Sequence, residues 1–455
     1  GIGGLVCGCY LAKAGLKVLI VEKNDKVGGY CTSFERDGYR FDAGVHGIGG
    51  WYEMGSTYHL IIELNIDIEW EKKEPAESIY FKNKYLINFW SDLKKTKEEL
   101  YKSFPAEREG ISKFINFILT NSYFSLFKKY SNKSFKNLLD DFFADCDLKS
   151  ILTIPCGNIG ASARSISALS AFSLYKEFLF HSHVYPKGGI CAFAEKLRDK
   201  FIELHGIIKL KNEVIKIIQN HMDYYIITKN GNRFQGKTIV LNIAPHQLFT
   251  IFKQKLLLNE VSKMFSSLSF SPSAFFVNLG LNKNYIFEIK NIPVYNLWYF
   301  PKDDTEKVFP GINKDKFVNG YLKSNSIFVS FYKNTSKVLI LTPYKGINFW
   351  KRNHKIICEN IFNRVNFLKN FFSAVKVKII STPIDLHNLT YNYKGACYGW
   401  LPLKTTKEFH SNFLHIYNNI FLCGHWVPNI FGSGGITSVI NSGRSCSRFI
   451  LRKNG

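Results

Sequence analysis

The chain opens with Gly1–Gly50, which reads GIGGLVCGCYLAKAGLKVLIVEKNDKVGGYCTSFERDGYRFDAGVHGIGG. A glycine turn is followed by an apolar helical segment from Leu5 to Ala14, and then by a strand from Lys17 to Val21 that ends on Glu22. In a βαβ unit that binds a dinucleotide, glycines let the backbone approach the pyrophosphate at a helix N-terminus, and an acid after the second strand accepts hydrogen bonds from a ribose. This order predicts a Rossmann-like α/β domain.

The glycine motif at the start is incomplete. Gly1 and Gly4 fit the second and third glycines of G-x-G-x-x-G, whereas the first glycine and the strand before it are missing from the sequence. We therefore expect that the chain begins inside the motif and that the natural protein extends upstream. An ordinary strand-to-helix turn is the alternative interpretation. Gly15 as a helix C-cap and Glu22 at the required spacing favour the nucleotide site.

Further motifs follow this unit and recur near the end of the chain. They are Val27–Tyr30 (VGGY), Phe41–His46 (FDAGVH), Tyr185–Gly189 (YPKGG), Tyr393–Trp400 (YKGACYGW), and the closing segment Gly424–Arg444 with its glycine loop and Ser-Gly-Arg. Together they resemble the FAD-dependent amine oxidase and phytoene desaturase superfamily. Within it, the motifs are most similar to the carotenoid desaturase, carotenoid isomerase and retinol saturase group.

The resemblance implies a glutathione-reductase-type FAD-binding domain with an α+β substrate domain. In this family the acid holds the adenosine ribose, the paired glycines approach the pyrophosphate, and the F-D-x-G-x-H segment runs near the flavin ring. The residues that the resemblance assigns to FAD binding are Gly1, Ile2, Gly4, Glu22, Lys23, Gly28, Gly29, Tyr30, Val214, Asn242, Gly424, His425, Ile436 and Thr437. His425 departs from the family, in which many members carry an acid that binds the ribityl chain.

His46 is the candidate catalytic residue, because the resemblance places it near the flavin ring, where an imidazole could act as an acid or a base. A structural histidine bonded to the backbone is the alternative. The motifs divide the chain into a discontinuous FAD-binding domain, 1–75, 185–270 and 395–455, and a substrate or lid domain, 76–184 and 271–394.

Composition limits the partners. The 455 residues include 60 Lys and Arg against 36 Asp and Glu, a formal charge of +24, with 46% apolar residues. The basic residues are dispersed and no nucleic-acid-binding module accompanies them, so we favour a composition bias and predict no nucleic-acid partner. Ten cysteines without C-x-x-C spacing predict no metal site and indicate reduced thiols in a cytoplasmic protein.

A segment rich in aromatic residues, Phe114–Phe135, carries Lys128, Lys129 and Lys133 and is followed by Lys136. It could lie on a membrane as a basic amphipathic surface, or it could be a pair of core helices with snorkelling lysines. We expect a cytoplasmic protein with a membrane surface as a possible partner. The sequence leaves the oligomeric state open.

Three classes of function compete. The first is an FAD-dependent desaturase, saturase or isomerase that acts on a long apolar isoprenoid or carotenoid-like polyene. The second is a flavin amine oxidase or an enzyme similar to protoporphyrinogen oxidase. The third is a non-catalytic isoprenoid-binding escort protein of the same fold. The motifs and the aromatic-rich segments favour the first class.

Overall fold

The computed structural model describes residues 1–181, 183–282, 287–289, 291–302, 326–364, 369–406, 413–432 and 434–454. Two parallel strand pairs form the nucleotide-type part. Leu19–Val21 pairs with Ile207–Lys209, and Ile239–Leu241 pairs with Ile420–Leu422. Parallel pairing requires long crossovers, which helices usually supply. The α/β character predicted from the first fifty residues is confirmed.

The first helix, Ile2–Lys13, lies between two others, Ile190–Glu203 and Ile436–Asn454. Its side chains from Ile2 to Cys9 are almost all buried, because apolar and small residues continue around the whole helix. Gly443 packs on the first helix so closely that an added Cβ would lie 2.6 Å from the carbonyl oxygen of Gly3. The two ends of the chain therefore meet in one core.

A sheet of seven strands forms the other large part. It is antiparallel except where Asn296–Phe300 runs parallel to Glu77–Phe81. In spatial order its strands are Val375–Ser381, Ser273–Leu281, Thr335–Thr342, Ile327–Tyr332, Asn296–Phe300, Glu77–Phe81 and Tyr85–Phe89. All seven come from the two blocks that the sequence assigns to the substrate domain. The domain boundaries themselves stay a prediction.

Smaller strands complete the described part. Val214–Asn220, Asp223–Thr228 and Arg233–Gly236 form an antiparallel sheet, and His415–Tyr417 pairs with Ile420–Leu422. The short two-stranded ribbons are Ser33–Arg36 with Tyr39–Asp42, Trp70–Glu71 with Tyr185–Pro186, and Glu288–Ile289 with Ile292–Pro293.

Helices cover the large sheet and link the two parts. Asp92, Ser122, Ser134 and Asp145 cap four of them with side-chain oxygens, as short polar residues do at helix N-termini. The remaining α-helices are Ser56–Leu64, Leu93–Ser103, Arg108–Thr120, Tyr123–Tyr130, Phe135–Asp140, Cys146–Thr153, Ala168–Leu174, Leu248–Ile251, Lys255–Phe265, Ile347–Arg364, Lys369–Ser373 and Pro383–Thr390. A π-helical turn, Tyr175–Phe180, extends Ala168–Leu174.

The described residues contain no helix that combines the length and the apolar character needed to cross a bilayer. The ten cysteines are free thiols, and eight of them are buried. Within the aromatic segment, Phe114, Tyr130 and Phe135 are buried in the core, whereas Phe124 is 92% exposed. The segment is therefore a set of core helices on one side and an exposed aromatic and basic surface on the other.

Candidate functional site

Two glycine turns from opposite ends of the sequence converge around the side chain of Asn242. A Cβ on Gly424 would lie 2.1 Å from Oδ1 of Asn242, and one on Gly1 would lie 3.0 Å from Nδ2. Gly424 also has φ +92°, a conformation that favours glycine. The structure therefore brings Gly1, Gly4 and Gly424 together with Asn242, as the resemblance implies.

The paired glycines of the second loop lie against the first turn. Gly28 has φ +112°, and a Cβ there would lie 2.4 Å from the carbonyl oxygen of Cys31. A Cβ on Gly29 would lie 3.3 Å from the Cα of Gly1. Because none of these positions carries a side chain, backbone N–H groups near the start of the helix Ile2–Lys13 are accessible to a phosphate group.

Glu22 lies at the carboxyl end of its strand, beside the helix start. Its Oε2 is 3.7 Å from the backbone nitrogen of Gly1, and its Oε1 accepts a hydrogen bond of 3.0 Å from the backbone N–H of Asn24. The backbone N–H of Asn212 donates to the carbonyl oxygen of Glu22 at 2.9 Å, which brings the strand that begins at Val214 close to the acid. This is the arrangement predicted for a ribose and an adjoining adenine.

The side chains of Ile2 and Lys23 contact other parts of the protein. Ile2 is buried in the core. The ammonium group of Lys23 donates to the carbonyl oxygen of Leu389 at 2.5 Å and lies 3.6 Å from the ring centroid of Tyr391. Burial lowers the pKa of Lys23. For these two residues, a contact with FAD would therefore come from the backbone.

Tyr30 and His425 form a half-buried pair whose ring centroids lie 6.0 Å apart. The hydroxyl of Tyr30 accepts a hydrogen bond of 3.0 Å from the amide of Asn392. Burial lowers the pKa of His425 to about 4, so the imidazole is neutral at pH 7. Its Nε2 has no hydrogen-bond partner in the described part of the chain. A buried polar atom of this kind fits a ligand that is bound beside it.

His46 turns its ring towards the large sheet. Its Nε2 lies 3.3 Å from Oε1 of Glu77, and its ring centroid lies 4.5 Å from that of Phe328. This contact is with a carboxylate, and both the catalytic and the structural interpretation of His46 stay predictions. The imidazole therefore joins the F-D-x-G-x-H segment to the substrate-side sheet.

Sequence reasoning missed Glu77. Its carboxylate is 1% exposed, and Oε2 accepts a hydrogen bond of 2.9 Å from the indole of Trp298. Burial lowers the pKa of the neighbouring His183 far below its usual value, and its Nε2 lies 3.8 Å from Oε1 of Glu77. Glu77 is the first residue of the strand Glu77–Phe81, directly before Ser78, and no signal in the sequence distinguishes it from a solvated acid at a strand end.

A second buried acid, Glu177, lies beside the start of the last helix. An added Cβ on Gly50 would lie 2.9 Å from both Oε2 of Glu177 and Cγ2 of Thr437. The Oε1 atom accepts hydrogen bonds from Tyr52 at 2.9 Å and Tyr123 at 3.1 Å. Burial raises the pKa of Glu177, and π-helical turns such as the one that carries it recur at functional sites. Sequence reasoning missed this residue too.

Ile436 and Thr437 begin the helix Ile436–Asn454, after the glycine-containing loop. The hydroxyl of Ser442, one turn further on, accepts a hydrogen bond of 2.8 Å from the backbone N–H of Gly424. A helix N-terminus carries partial positive charge, which suits the electron-rich end of a reduced flavin. Trp426, two residues after Gly424, is buried in the core, and its indole N–H donates a hydrogen bond of 2.8 Å to Oδ1 of Asn392.

The glycine turns, the acid at the strand end and the unpartnered Nε2 of His425 fit an FAD molecule. They define the site of a dinucleotide-binding flavoprotein. Among the residues that the structure describes, no group of three or more His, Cys, Asp or Glu side chains could hold a metal ion.

Comparison with known proteins agrees with this class. The profile of the family described as flavin containing amine oxidoreductase matches residues 2–284. Because this is more than half of the chain, the protein belongs to that family and is an FAD-dependent oxidoreductase.

Several relatives span most of the chain. An all-trans-retinol 13,14-reductase of Danio rerio is 22% identical, and the alignment covers 100% of this chain and 85% of the relative. A 4,4'-diapophytoene desaturase of Staphylococcus haemolyticus is 21% identical over 99% of this chain and 97% of the relative. A chloroplastic prolycopene isomerase of Daucus carota is 24% identical over 90% and 72%. These names confirm the group to which the motifs are most similar.

Solved structures show the same fold. A putrescine oxidase bound to putrescine has a TM-score of 0.65 at 14% identity, over 99% of this chain and 97% of its own. A cyclohexylamine oxidase from Brevibacterium oxydans has a TM-score of 0.62 at 13% identity, over 100% and 97%. At this level of identity the likeness concerns the fold alone.

Proposed function

We propose that the protein carries out FAD-dependent desaturation, saturation or isomerisation of a long apolar polyene of the isoprenoid or carotenoid type. Relatives that cover nearly the whole chain bear the names of a retinol reductase, a diapophytoene desaturase and a prolycopene isomerase. Bound FAD would supply the redox chemistry, while the protein binds, orients and desolvates the substrate.

The observation that carries the proposal is the contact between Tyr123 and Phe431, whose ring centroids lie 4.8 Å apart. Phe431 precedes the loop that leads to Ile436 and Thr437, where the ring end of the flavin is predicted. Tyr123 also packs edge-on against Phe172 at 5.4 Å. Aromatic contacts thus link the predicted flavin site to the exposed aromatic and basic surface. Such a lining suits a polyene, whose burial contributes roughly 25 cal/mol per Å² of apolar surface.

The exposed surface supports uptake of the substrate from a membrane. Phe124 is 92% exposed, and Lys128 lies four residues later on the same face of the helix Tyr123–Tyr130. An aromatic ring can enter the acyl boundary while nearby lysines bind anionic headgroups, at about 1 kcal/mol for each lysine. We therefore propose a peripheral position at a membrane surface on the cytoplasmic side.

His46 and Glu177 are the residues proposed to hold or move protons. The Nε2 atom of His46 lies 3.3 Å from Oε1 of Glu77, within reach of a proton exchange between the two groups. Glu177 has a raised pKa, and this favours the protonated carboxylic acid beside Thr437. Both residues lie next to segments that are predicted to meet the flavin ring. A saturase must deliver a proton as well as a hydride, and a desaturase must remove both.

The second candidate, amine oxidation, is supported by the likeness in fold to amine oxidases. The names of the relatives that cover nearly the whole chain weigh against it.

Product analysis tests the choice between these functions. The FAD-loaded protein is incubated in lipid vesicles with a panel of polyenes and, separately, with primary amines, and the products are identified by mass and retention time. The proposal predicts a polyene that loses or gains two hydrogens, or that keeps its mass and changes its retention time. Peroxide release from amines without any polyene product would support the second candidate instead.

A further inference from the structure

A small polar cavity lies between the ribbon that ends at Asp42 and the large sheet. Its volume of ≈ 30 Å³ is enough for about two water-sized groups. Thirteen residues line it, and they include Asp42, Lys73, Asn278, Tyr332 and Lys337. The cavity borders His46 but contains none of the glycines assigned to FAD.

Two buried lysines line this cavity. Lys73 is 6% exposed and Lys337 is 8% exposed. The ammonium group of Lys73 lies 4.2 Å from the ring centroid of Tyr185 and makes long contacts of 3.5 Å and 3.4 Å with the carbonyl oxygens of His46 and Phe331. Lys337 donates to the carbonyl oxygen of Asp42 at 2.5 Å. Each ammonium group has three N–H donors, so both keep unused hydrogen-bonding capacity.

The nearby carboxylates are committed to other partners. Asp42 accepts hydrogen bonds from the hydroxyls of Ser33 and Tyr185 and from the backbone N–H of Ile190. Glu77 faces His46 and Trp298. Across the part of the chain that the structure describes, neither lysine comes within 4 Å of a carboxylate oxygen. Buried ammonium groups are normally held by a direct ion pair, and although acids such as Asp42 lie nearby, neither lysine forms one.

Further polar atoms in the wall also lack partners. Oδ1 of Asn278 and Oγ of Ser336 form no hydrogen bond within the described residues, and the hydroxyl of Tyr332, which lines the same cavity, lies near the backbone of Gly188. Asn278 is 4% exposed and Ser336 is 3% exposed, so bulk water does not satisfy them. The amide of Asn278 can turn to present its NH₂ group, and both hydroxyls can donate. The wall can therefore offer several donors to one acceptor group.

We propose that this cavity binds a carboxylate, held between Lys73 and Lys337 and bonded by Asn278, Tyr332 and Ser336. A carboxylate matches the size of the cavity, can form a direct ion pair with both ammonium groups and accepts several hydrogen bonds at once. The carboxylate belongs either to a small free acid or to the head of an apolar acid whose chain extends past His46. This binding site does not depend on the proposed polyene reaction.

The first test compares acetate with acetamide, which has the same shape without the charge. Binding to the FAD-loaded protein is measured by calorimetry at pH 7. The proposal predicts binding of acetate and at least about tenfold weaker binding of acetamide, because charge-assisted hydrogen bonds are lost. Lys73→Met and Lys337→Met should each weaken acetate binding by about tenfold or more, whereas the exposed neighbour Lys333→Met should leave it unchanged.

A second variant keeps the test decisive if a lysine variant folds poorly. Asn278→Asp places a carboxylate of nearly the same shape inside the cavity, so it should abolish acetate binding and raise the melting temperature. Equal binding of acetate and acetamide, or unchanged acetate binding in Asn278→Asp, would overturn the proposal.

A further binding experiment decides whether the carboxylate belongs to a small free acid or to an apolar acid. An apolar polyene acid is compared with its alcohol and with acetate. If the acid binds far more tightly than acetate and loses that advantage in Lys337→Met, the carboxylate is the head of an apolar ligand. If the acid shows no advantage over its alcohol while acetate binds, the site takes small free acids. None of these measurements requires turnover.

Discussion

The Nε2 atom of His46 lies 3.3 Å from the Oε1 atom of Glu77, and this contact joins the F-D-x-G-x-H segment to the large sheet. Glu77 is 1% exposed and also receives the indole N–H of Trp298. The carboxylate is itself held in place by the indole, and its free Oε1 faces the imidazole. His46 is therefore in contact with the large sheet as well as with the loop that carries it.

Replacing His46 with Gln tests its role as an acid or base. The amide keeps polar contact with Glu77 but cannot exchange a proton near pH 7, so kcat should fall by roughly two orders of magnitude or more. FAD affinity should not change. His181→Gln is the matched control, because His181 stacks on Tyr52 and not on Glu77. An unchanged kcat in His46→Gln would assign the imidazole a purely structural role.

Glu22→Ala removes the predicted ribose contact. A hydrogen bond to a charged group contributes about 1.5–3 kcal/mol, so FAD affinity should fall by about one to two decades. Fluorescence titration of the apoprotein with FAD measures this change. Glu35→Ala, at an exposed position of the Ser33–Arg36 strand, is the control. If Glu22→Ala held FAD as tightly as the parent protein, the ribose assignment would be wrong.

Gly424→Ala tests the convergence of the glycine turns. The new methyl group would meet Oδ1 of Asn242 at 2.1 Å, and the backbone has φ +92°. Gly15→Ala isolates the backbone cost, since Gly15 has φ +85° and no atom within 4 Å of its added Cβ. We expect Gly15→Ala to lower the free energy of unfolding by about 1–2 kcal/mol with FAD binding intact. Gly424→Ala should cost more and should also weaken FAD binding.

Lys337→Met should raise stability at neutral pH. Burial lowers the pKa of Lys337 to about 8 from its usual value of 10.5, so the folded state resists protonation. Between pH 8 and pH 10.5 the unfolded chain binds more protons at this lysine than the folded chain does, so the free energy of unfolding decreases as the pH falls through this range. Protonated Lys337 therefore destabilises the folded protein below pH 8, whereas the neutral amine above pH 10.5 does not. In urea titrations without added carboxylate, the variant should be more stable at pH 7 by up to about 3 kcal/mol. The advantage should disappear near pH 10.5.

Phe124→Ser tests the membrane surface. Removing an exposed aromatic ring from a membrane contact forfeits roughly 1.5–3 kcal/mol of burial, so binding to anionic vesicles should weaken by about tenfold or more. Leu256→Ser is the control, because Leu256 is 70% exposed on a different helix, Lys255–Phe265. Co-sedimentation with vesicles measures both. Equal losses in the two variants would contradict a dedicated surface at Phe124.

Much of the nucleotide part could be predicted from the sequence because its chemistry is local. The glycines, the first helix and Glu22 lie within 22 residues, and each reports a backbone requirement or a strand end. The hairpin Glu77–Phe81 with Tyr85–Phe89 is local as well, since apolar residues flank a polar turn at residues 82–84.

The buried acids and lysines could not be predicted in the same way. Glu77 meets Trp298 because Asn296–Phe300 pairs with its strand across more than two hundred residues, and periodicity carries no information on that register. Lys73 and Lys337 also lie far apart in the sequence, and only the folded chain brings them to one cavity. The hydrogen bonds of Glu177 depend on the π-helical turn Tyr175–Phe180, and the spacing of apolar residues does not distinguish such a turn from an ordinary helix.

The central claim is FAD-dependent chemistry on a polyene, and an anaerobic titration tests it most directly. The protein, loaded with oxidised FAD or with reduced FAD, is mixed with each polyene of a panel while flavin absorbance and polyene products are recorded together. The account predicts a polyene that reduces the oxidised flavin, reoxidises the reduced flavin, or isomerises in its presence, with these responses lost in His46→Gln. The contradicting result is that no polyene changes the flavin absorbance and no polyene product forms, while a primary amine reduces the flavin.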